Sequence, residues 1–214
     1  MESSRAAYDA LLQTCPELTS PTAKENWQVL EIGCGTGLLS LLVAPHVKEL
    51  GGVDTSQGMI DMLDSKSRKQ GLESKVKAIK VLLQDADDPV LEGKKFDLVL
   101  SHLVFHHIPR MQETIHVMAQ ALKPGAQSKM IISDFEDNGE HALRFHPKDK
   151  HAGVERHGLL ASELDQLLQE EAKVSGLKDV KVIRPFSLGK STEQEDGSTK
   201  KEPYPFLFCM ATKA

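Results

Sequence analysis

With 214 residues, 40% of them hydrophobic and 27% charged, the chain is long enough to bury its own core and is composed like a folded domain, not a disordered or fibrous one. Its formal net charge of −5 argues against a large sequence-independent nucleic-acid surface, which needs clustered Lys and Arg; a local basic patch stays open. There is no apolar run of eighteen residues and no apolar signal core, and Cys15, Cys34 and Cys209 share no CxxC or metal-ligand spacing, so the reading is a cytoplasmic protein without membrane association or metal site.

Residues 1–26 read as a short mixed leader containing Pro16 and Pro21. The run WQVLEI at 27–32 ends in a glycine cluster, as a buried strand does. Residues 37–45 predict a helix stopped near Pro45, and residues 48–54 a second strand. Ser56 is placed to cap a helix that carries Met59, Ile60 and Leu63 on one face and ends at Gly71. Residues 76–83 and 96–101 predict the third and fourth strands. A helix over 110–122 sets Met111, Ile115, Met118, Ala119 and Leu122 on one side, and Lys123, Pro124 and Gly125 break it. Residues 129–134 predict a fifth strand, and residues 136–160 a polar, His-containing insert. Leu164, Leu167 and Leu168 mark a helix ending near Gly176, and two more strands are expected near 179–186 and 205–212. The polar stretch 187–202 between them predicts an exposed hairpin loop. Strands alternating with helices imply an α/β domain over 1–214, with a mostly parallel sheet and helices on both faces. Ligands in such sheets bind beyond the carboxyl ends of the strands.

The first of those ends is the most informative. VLEIGCGTGLL over residues 29–39 places Glu31 before Gly33, Gly35 and Gly37. Glycines allow a tight turn and close backbone approach, and the helix that follows points its amides at the ligand. A dinucleotide loop would carry its third glycine one place later, where Leu38 stands. A cofactor with no pyrophosphate but a cationic amino-acid end fits better. Asp54, at the tip of the second strand, can accept both hydroxyls of a ribose; taken alone, it reads better as a helix cap. Asp85 in LLQDADDP can accept an adenine amino proton with the Ala86 amide beside it, whereas Asp87 and Asp88 read as a solvated acidic turn.

Together, VLEIGCGTG, Asp54, the Asp85–Ala86 turn and FDLVLSHLVFHHIP resemble the class I S-adenosylmethionine-dependent methyltransferases, in the branch acting on small molecules and quinones; the resemblance covers roughly residues 27–135. It implies a Rossmann-like seven-stranded sheet in the order 3-2-1-4-5-7-6 with strand 7 antiparallel. It also implies a cofactor set. Gly33, Gly35 and Gly37 would cradle the methionine end, Asp54 would bind the ribose, Asp85 with Ala86 the adenine, and Ser101 and His102 would border the sulfonium; Glu31, Cys34, Thr55 and Met59 complete the set of cofactor-binding candidates.

Methyl transfer from a sulfonium is an in-line displacement that needs alignment, exclusion of water and sometimes a base. SHLVFHHIP at 101–109 supplies three histidines. Each, taken singly, reads more readily as a pocket or hydrogen-bonded residue than as a catalyst. His106 and His107 are the candidates for orienting or deprotonating the acceptor, His106 ranking above His102 because it should lie further out on the loop. The insert holds His141, Phe145, His146, His151, Arg156 and His157 in no compact metal spacing and reads as a lid that closes over bound ligand. The expected partner is a small-molecule acceptor. Two alternatives stay open: a protein or RNA methyltransferase, and a non-catalytic cofactor-binding partner subunit. No asparagine-proline-proline-aromatic tetrapeptide or basic appendage favours the first.

Overall fold

The computed structural model describes residues 2–125, 127–145, 154–193 and 198–214. Seven strands form one sheet: β1 (Gln28–Ile32), β2 (Glu49–Asp54), β3 (Val76–Lys80), β4 (Leu98–His102), β5 (Lys129–Phe135), β6 (Leu177–Glu193) and β7 (Thr199–Lys213). Their order is β3-β2-β1-β4-β5-β7-β6. The first five run parallel, and β7 is antiparallel to both β5 and β6. The helices are α1 (Glu2–Thr14), α2 (Pro21–Asn26), α3 (Ser40–Val43), α4 (Gln57–Lys69), α5 (Met111–Ala121), α6 (Glu140–Leu143) and α7 (Ala161–Ser175).

Strand alternation divides the apolar residues between two cores. Leu30, Ile32, Val99, Met130, Ile132, Leu207 and Cys209 meet Ile115 and Met118 of α5 and Leu164 and Leu168 of α7 on one face. Val29, Leu50, Leu98, Leu100, Ile131 and Phe208 meet Leu11 of α1, Val43 of α3 and Leu63 of α4 on the other. A sheet covered on both faces buries whole strands, which is why β1 and β4 read as nearly continuous apolar runs. The sheet reverses its order between β1 and β4, so the loops leaving those two strands diverge at the carboxyl edge, where sheets of this kind bind ligands.

Four local expectations are corrected. The leader folds: Ala7, Tyr8 and Leu11 of α1 are buried, and the Tyr8 hydroxyl lies 2.6 Å from His46 Nε2. The helix expected at 37–45 is only α3 followed by a 3-10 turn at Ala44–His46, because Pro45 cannot continue the ladder. The third strand stops at Lys80, short of 83. The stretch 187–202 is not an exposed loop. β6 and β7 stay paired out to Glu193 and Thr199, forming a two-stranded ribbon beyond the sheet, while residues 194–197 lie outside the described set. Along that ribbon Glu202, Tyr204 and Phe206 are buried and alternate with outward Lys201 and partly covered Pro205; a buried Glu bonded to Thr192 masks the period from a reading based on polarity.

Because α1 contributes to a core, Leu11→Ala should destabilise the protein by about 2–4 kcal/mol, measured as a shift in denaturant midpoint at constant slope. A change under about 0.5 kcal/mol would show that the leader is not part of the cooperative unit.

Candidate functional site: a glycine loop and an Asp-His pair at the sheet edge

After Ile32 the chain turns through three glycines with positive φ, Gly33 (71°), Gly35 (51°) and Gly37 (78°). Their surroundings differ. A Cβ on Gly33 would collide with the stiff Val104 side chain from the next loop, and one on Gly37 with Leu63 of α4. A Cβ on Gly35 meets nothing within 4 Å. The outer two glycines are therefore required by packing, whereas the middle one faces open space with its backbone bare. The Cys34 side chain turns inward against Gly52 and is buried, so only its backbone belongs to the loop surface.

Asp54 holds this loop. Its Oδ2 accepts the Gly35 amide and its Oδ1 the Ser56 amide, both at 2.9 Å. Ser56 occupies the N-cap position of α4 but makes no side-chain cap bond; Asp54 accepts the amide of that residue and so holds the turn into the helix. This turn-holding role and the ligand reading of Asp54 are compatible, since each carboxylate oxygen keeps a further lone pair. Thr55 and Met59 stand exposed beside it. Glu31, within β1, lies fully buried beneath the loop, and its carboxylate accepts the Ser40 hydroxyl. Burial raises its pKa to about 7, the Ser40 bond lowers it, and the Asp54 charge adds to the rise. At the next strand end, Asp85 is exposed and caps its own turn by accepting the Asp87 amide at 2.8 Å, with Ala86 buried beside it. Of the two residues expected as a solvated turn, Asp87 pairs with Lys95 and Asp88 caps a 3-10 turn through Val90.

The β4 end is built differently. The Ser101 hydroxyl donates to the Ile32 carbonyl at 3.0 Å, tying β4 under the glycine loop. His102 is buried, its Nδ1 3.2 Å from the Ser133 hydroxyl, and among the described residues its Nε2 has no hydrogen-bond partner. Burial lowers its pKa to about 4 against the opposing pull of Asp134, so this imidazole is neutral at pH 7. Leu103 then takes a left-handed φ of 57°, a strained conformation for a side chain of this kind.

That turn corrects the ranking of the histidines. His106 does not reach outward; it is 2% exposed and points back onto β5, with Nδ1 2.9 Å from both oxygens of Asp134. His107 is exposed, its ring centroid 4.0 Å from that of His106. Asp134 was missed by the sequence reading, although an acid as the penultimate residue of a buried strand was itself a signal. The insert docks here. The Glu155 and Arg156 amides donate to the His106 carbonyl, and the Arg156 guanidinium donates to the Phe105 and Ile108 carbonyls. Phe145 stacks on Phe135 at 3.9 Å. His157 is partly buried, nothing is described for the His141 side chain, and His146 and His151 lie outside the described residues.

Two measurements check the loop. Glu31 ionises near 4.5 when unfolded but keeps its proton to about 7 in the fold, so its stabilising contribution is complete below 4.5 and lost as pH rises through 7. Without ligand, wild-type protein should therefore lose stability relative to Glu31→Gln over that window, by at most about 1.4 kcal/mol per pH unit. A constant difference between the two proteins would contradict it. Gly33→Ala should destabilise the fold by displacing Val104. Gly35→Ala should fold with a penalty of about 1 kcal/mol from left-handed strain alone, which thermal unfolding distinguishes.

Comparison with known proteins agrees with this geometry. Residues 30–128 match the family described as a methyltransferase domain. An uncharacterised methyltransferase of Schizosaccharomyces pombe is 31% identical over 143 residues, covering 63% of this chain and 49% of that protein. A ubiquinone biosynthesis O-methyltransferase of Coxiella burnetii is 32% identical over 110 residues, covering 51% and 44%. The chain thus spans about half the length of these curated relatives. In fold, it superposes on the YcgJ protein of Bacillus subtilis with a TM-score of 0.70 over 98% of both chains at 14% identity. The magnesium protoporphyrin IX methyltransferase of Synechocystis, solved with bound S-adenosylmethionine, gives 0.57 over 98% of this chain and 81% of that one at 17% identity. The methyltransferase-domain match thus falls on the part of the chain that holds the glycine loop and β4, and the whole chain shares the fold of these solved structures.

Proposed function

We propose that this protein transfers the methyl group of S-adenosylmethionine to a small-molecule acceptor by in-line displacement. The observation that carries the reading is the open space over Gly35, bounded by the Asp54 carboxylate and underlain by buried Glu31. The residues present suit that cofactor. A bare glycine backbone accommodates close approach, Glu31 and Asp54 suit a cationic amino-acid end and ribose hydroxyls, and the third glycine stands one place short of a dinucleotide loop's. The names of the relatives, which act on ubiquinone precursors and a porphyrin, support a small acceptor.

The cofactor supplies an electrophilic methyl on a sulfonium. Glu31, Gly33, Cys34, Gly35 and Gly37 hold its amino-acid end, the cysteine through its backbone; Asp54, Thr55 and Met59 hold the ribose; Asp85 and Ala86 hold the adenine; Ser101 and His102 border the reacting carbon. The acceptor pocket is formed by the loop 102–109 and the 136–160 insert, which acts as its lid and keeps water from the methyl. His106 or His107 receives the acceptor proton. The docking of Glu155 and Arg156 onto the 105–108 segment supports this pairing of loop and insert.

Calorimetry should show binding of S-adenosylhomocysteine and no binding of NAD; the reverse would sink the proposal. Asp54→Ala should weaken S-adenosylhomocysteine binding roughly 10–100-fold, since each lost charge-assisted bond is worth about 1.5–3 kcal/mol. Unchanged affinity in a folded variant would confine Asp54 to holding the loop. The acceptor would be sought by following labelled methyl from the cofactor into a metabolite extract.

A further inference from the structure

Besides Asp54, the glycine loop has a fastening on α4. Lys66 donates from Nζ to both the Thr36 carbonyl, at 3.0 Å, and the Thr36 hydroxyl, at 2.9 Å. The helix comes near enough because Gly37 has no side chain: Leu63, three residues before Lys66 on the same helix face, fills the place where a Gly37 Cβ would stand. Thr36 itself lies between two left-handed glycines, Gly35 and Gly37. Its carbonyl shares a peptide plane with the Gly37 amide, which donates to the Cys34 carbonyl at 2.9 Å. That plane is thus held at both ends. On the other side, the Gly35 amide is held by Asp54. An anion from β2 and a cation from α4 therefore fix the two peptide planes that bracket Gly35 and Thr36.

We propose that Lys66 is a positioning residue for the cofactor's amino-acid end, acting through Thr36 to keep the glycine loop in the shape that admits it. This rests on the methyl-transfer reading above and adds to it a residue that does not touch the ligand. The physical reason is entropic. Glycines at three of the five positions 33–37 give the loop many alternative shapes, and affinity falls in proportion to the fraction of molecules whose loop is competent to bind. Charge-assisted bonds to both acceptors of one loop residue raise that fraction.

Placement separates Lys66 from the cations around it. Arg68 pairs with Asp64 one turn back on α4, and both side chains are exposed. Lys75 also donates to a backbone carbonyl, that of Val47, but these two residues precede β3 and β2 at the amino edge of the sheet. Lys66 leaves its own helix for the loop at the carboxyl edge, where Gly35 faces open space.

The test is calorimetric and uses two probes: S-adenosylhomocysteine, which carries the amino-acid end, and 5′-methylthioadenosine, which has the same nucleoside and sulfur without it. Wild type is compared with Lys66→Met, which keeps an apolar stem but no donor, with Lys66→Arg, and with Thr36→Val, which keeps only the carbonyl contact. The Kd for S-adenosylhomocysteine should rise about 10-fold in Lys66→Met and about 3-fold in Thr36→Val, and recover in part in Lys66→Arg. The double variant should bind no more weakly than Lys66→Met, because the contact that Thr36→Val removes is already lost. Affinity for 5′-methylthioadenosine should stay within about 2-fold in every variant, since that probe lacks the group the loop positions. Amide hydrogen exchange at residues 35–37 should quicken in Lys66→Met while that of β1 and β2 is unchanged. Undiminished S-adenosylhomocysteine affinity in Lys66→Met, equal losses with both probes, additive losses in the double variant, or unchanged exchange at the loop would each overturn the proposal. Should Lys66→Met fail to fold, Thr36→Val decides by the same comparison of probes. Failure of wild type to bind S-adenosylhomocysteine would instead remove the methyl-transfer reading beneath it.

Discussion

The structure depends on a turn that has to be tight, bare and held open at once. Between β1 and α3 the backbone reverses through left-handed positions while leaving space above Gly35. A loop so poor in side chains cannot stabilise itself, and glycine loses more conformational freedom on ordering than any other residue. Asp54 supplies the missing fastening. It belongs to β2, whose register against β1 pairs Ile32 with Val53, and the Val53 carbonyl accepts the Gly33 and Cys34 amides while the Asp54 carboxylate accepts Gly35. The open loop is thus a product of strand pairing: if β1 and β2 slipped by one residue, the loop would lose all three anchors together.

The same arrangement accounts for the electrostatics. Burial sets the cost of ionising Glu31, and the charge of nearby Asp54 adds to it. Before a ligand arrives, the edge of β1 holds a carboxyl poised near neutrality under a bare backbone. A cationic group placed there favours the ionised form, and the burial that makes Glu31 expensive in isolation strengthens its attraction to such a group. The cost of ionising Glu31 and the attraction its carboxylate would have for a cation are two consequences of one burial.

How far the sequence was legible follows from how local each feature is. The glycine loop and Asp54 could be read because their residues are adjacent in sequence, and the mostly parallel sheet because strands alternate with helices; the strand order followed only from the family resemblance. The His106–Asp134 pair could not, because His106 lies in the turn after β4 and Asp134 on β5, and they meet only once β4 and β5 pair with His102 beside Ser133. His106 looked outward because loop residues usually are; the positive φ at Leu103, invisible in a residue type that seldom adopts it, turned the loop inward. The ribbon at 187–202 was hidden because its inward residues include a glutamate and a threonine that satisfy one another.

This contrast separates the two halves of the proposed site physically. The half proposed for the cofactor is built from β1, β2 and the turns directly after them, so its geometry forms with the parallel core. The half proposed for the acceptor draws on the 102–109 loop, on β5, on the β7 ribbon and on the described part of the insert, and these depend on one another. Arg156 fixes the loop by bonding the Phe105 and Ile108 carbonyls, Phe145 packs on Phe135 and Tyr204, and Glu136 is tied to Arg184 of β6 and to the Pro205 carbonyl. Networks of this kind gain or lose order as a unit, because removing one partner leaves several buried groups unsatisfied. Substitutions in the insert therefore reach His106 through the loop backbone without touching it, while the glycine loop, fastened to a different pair of strands, is insulated from them.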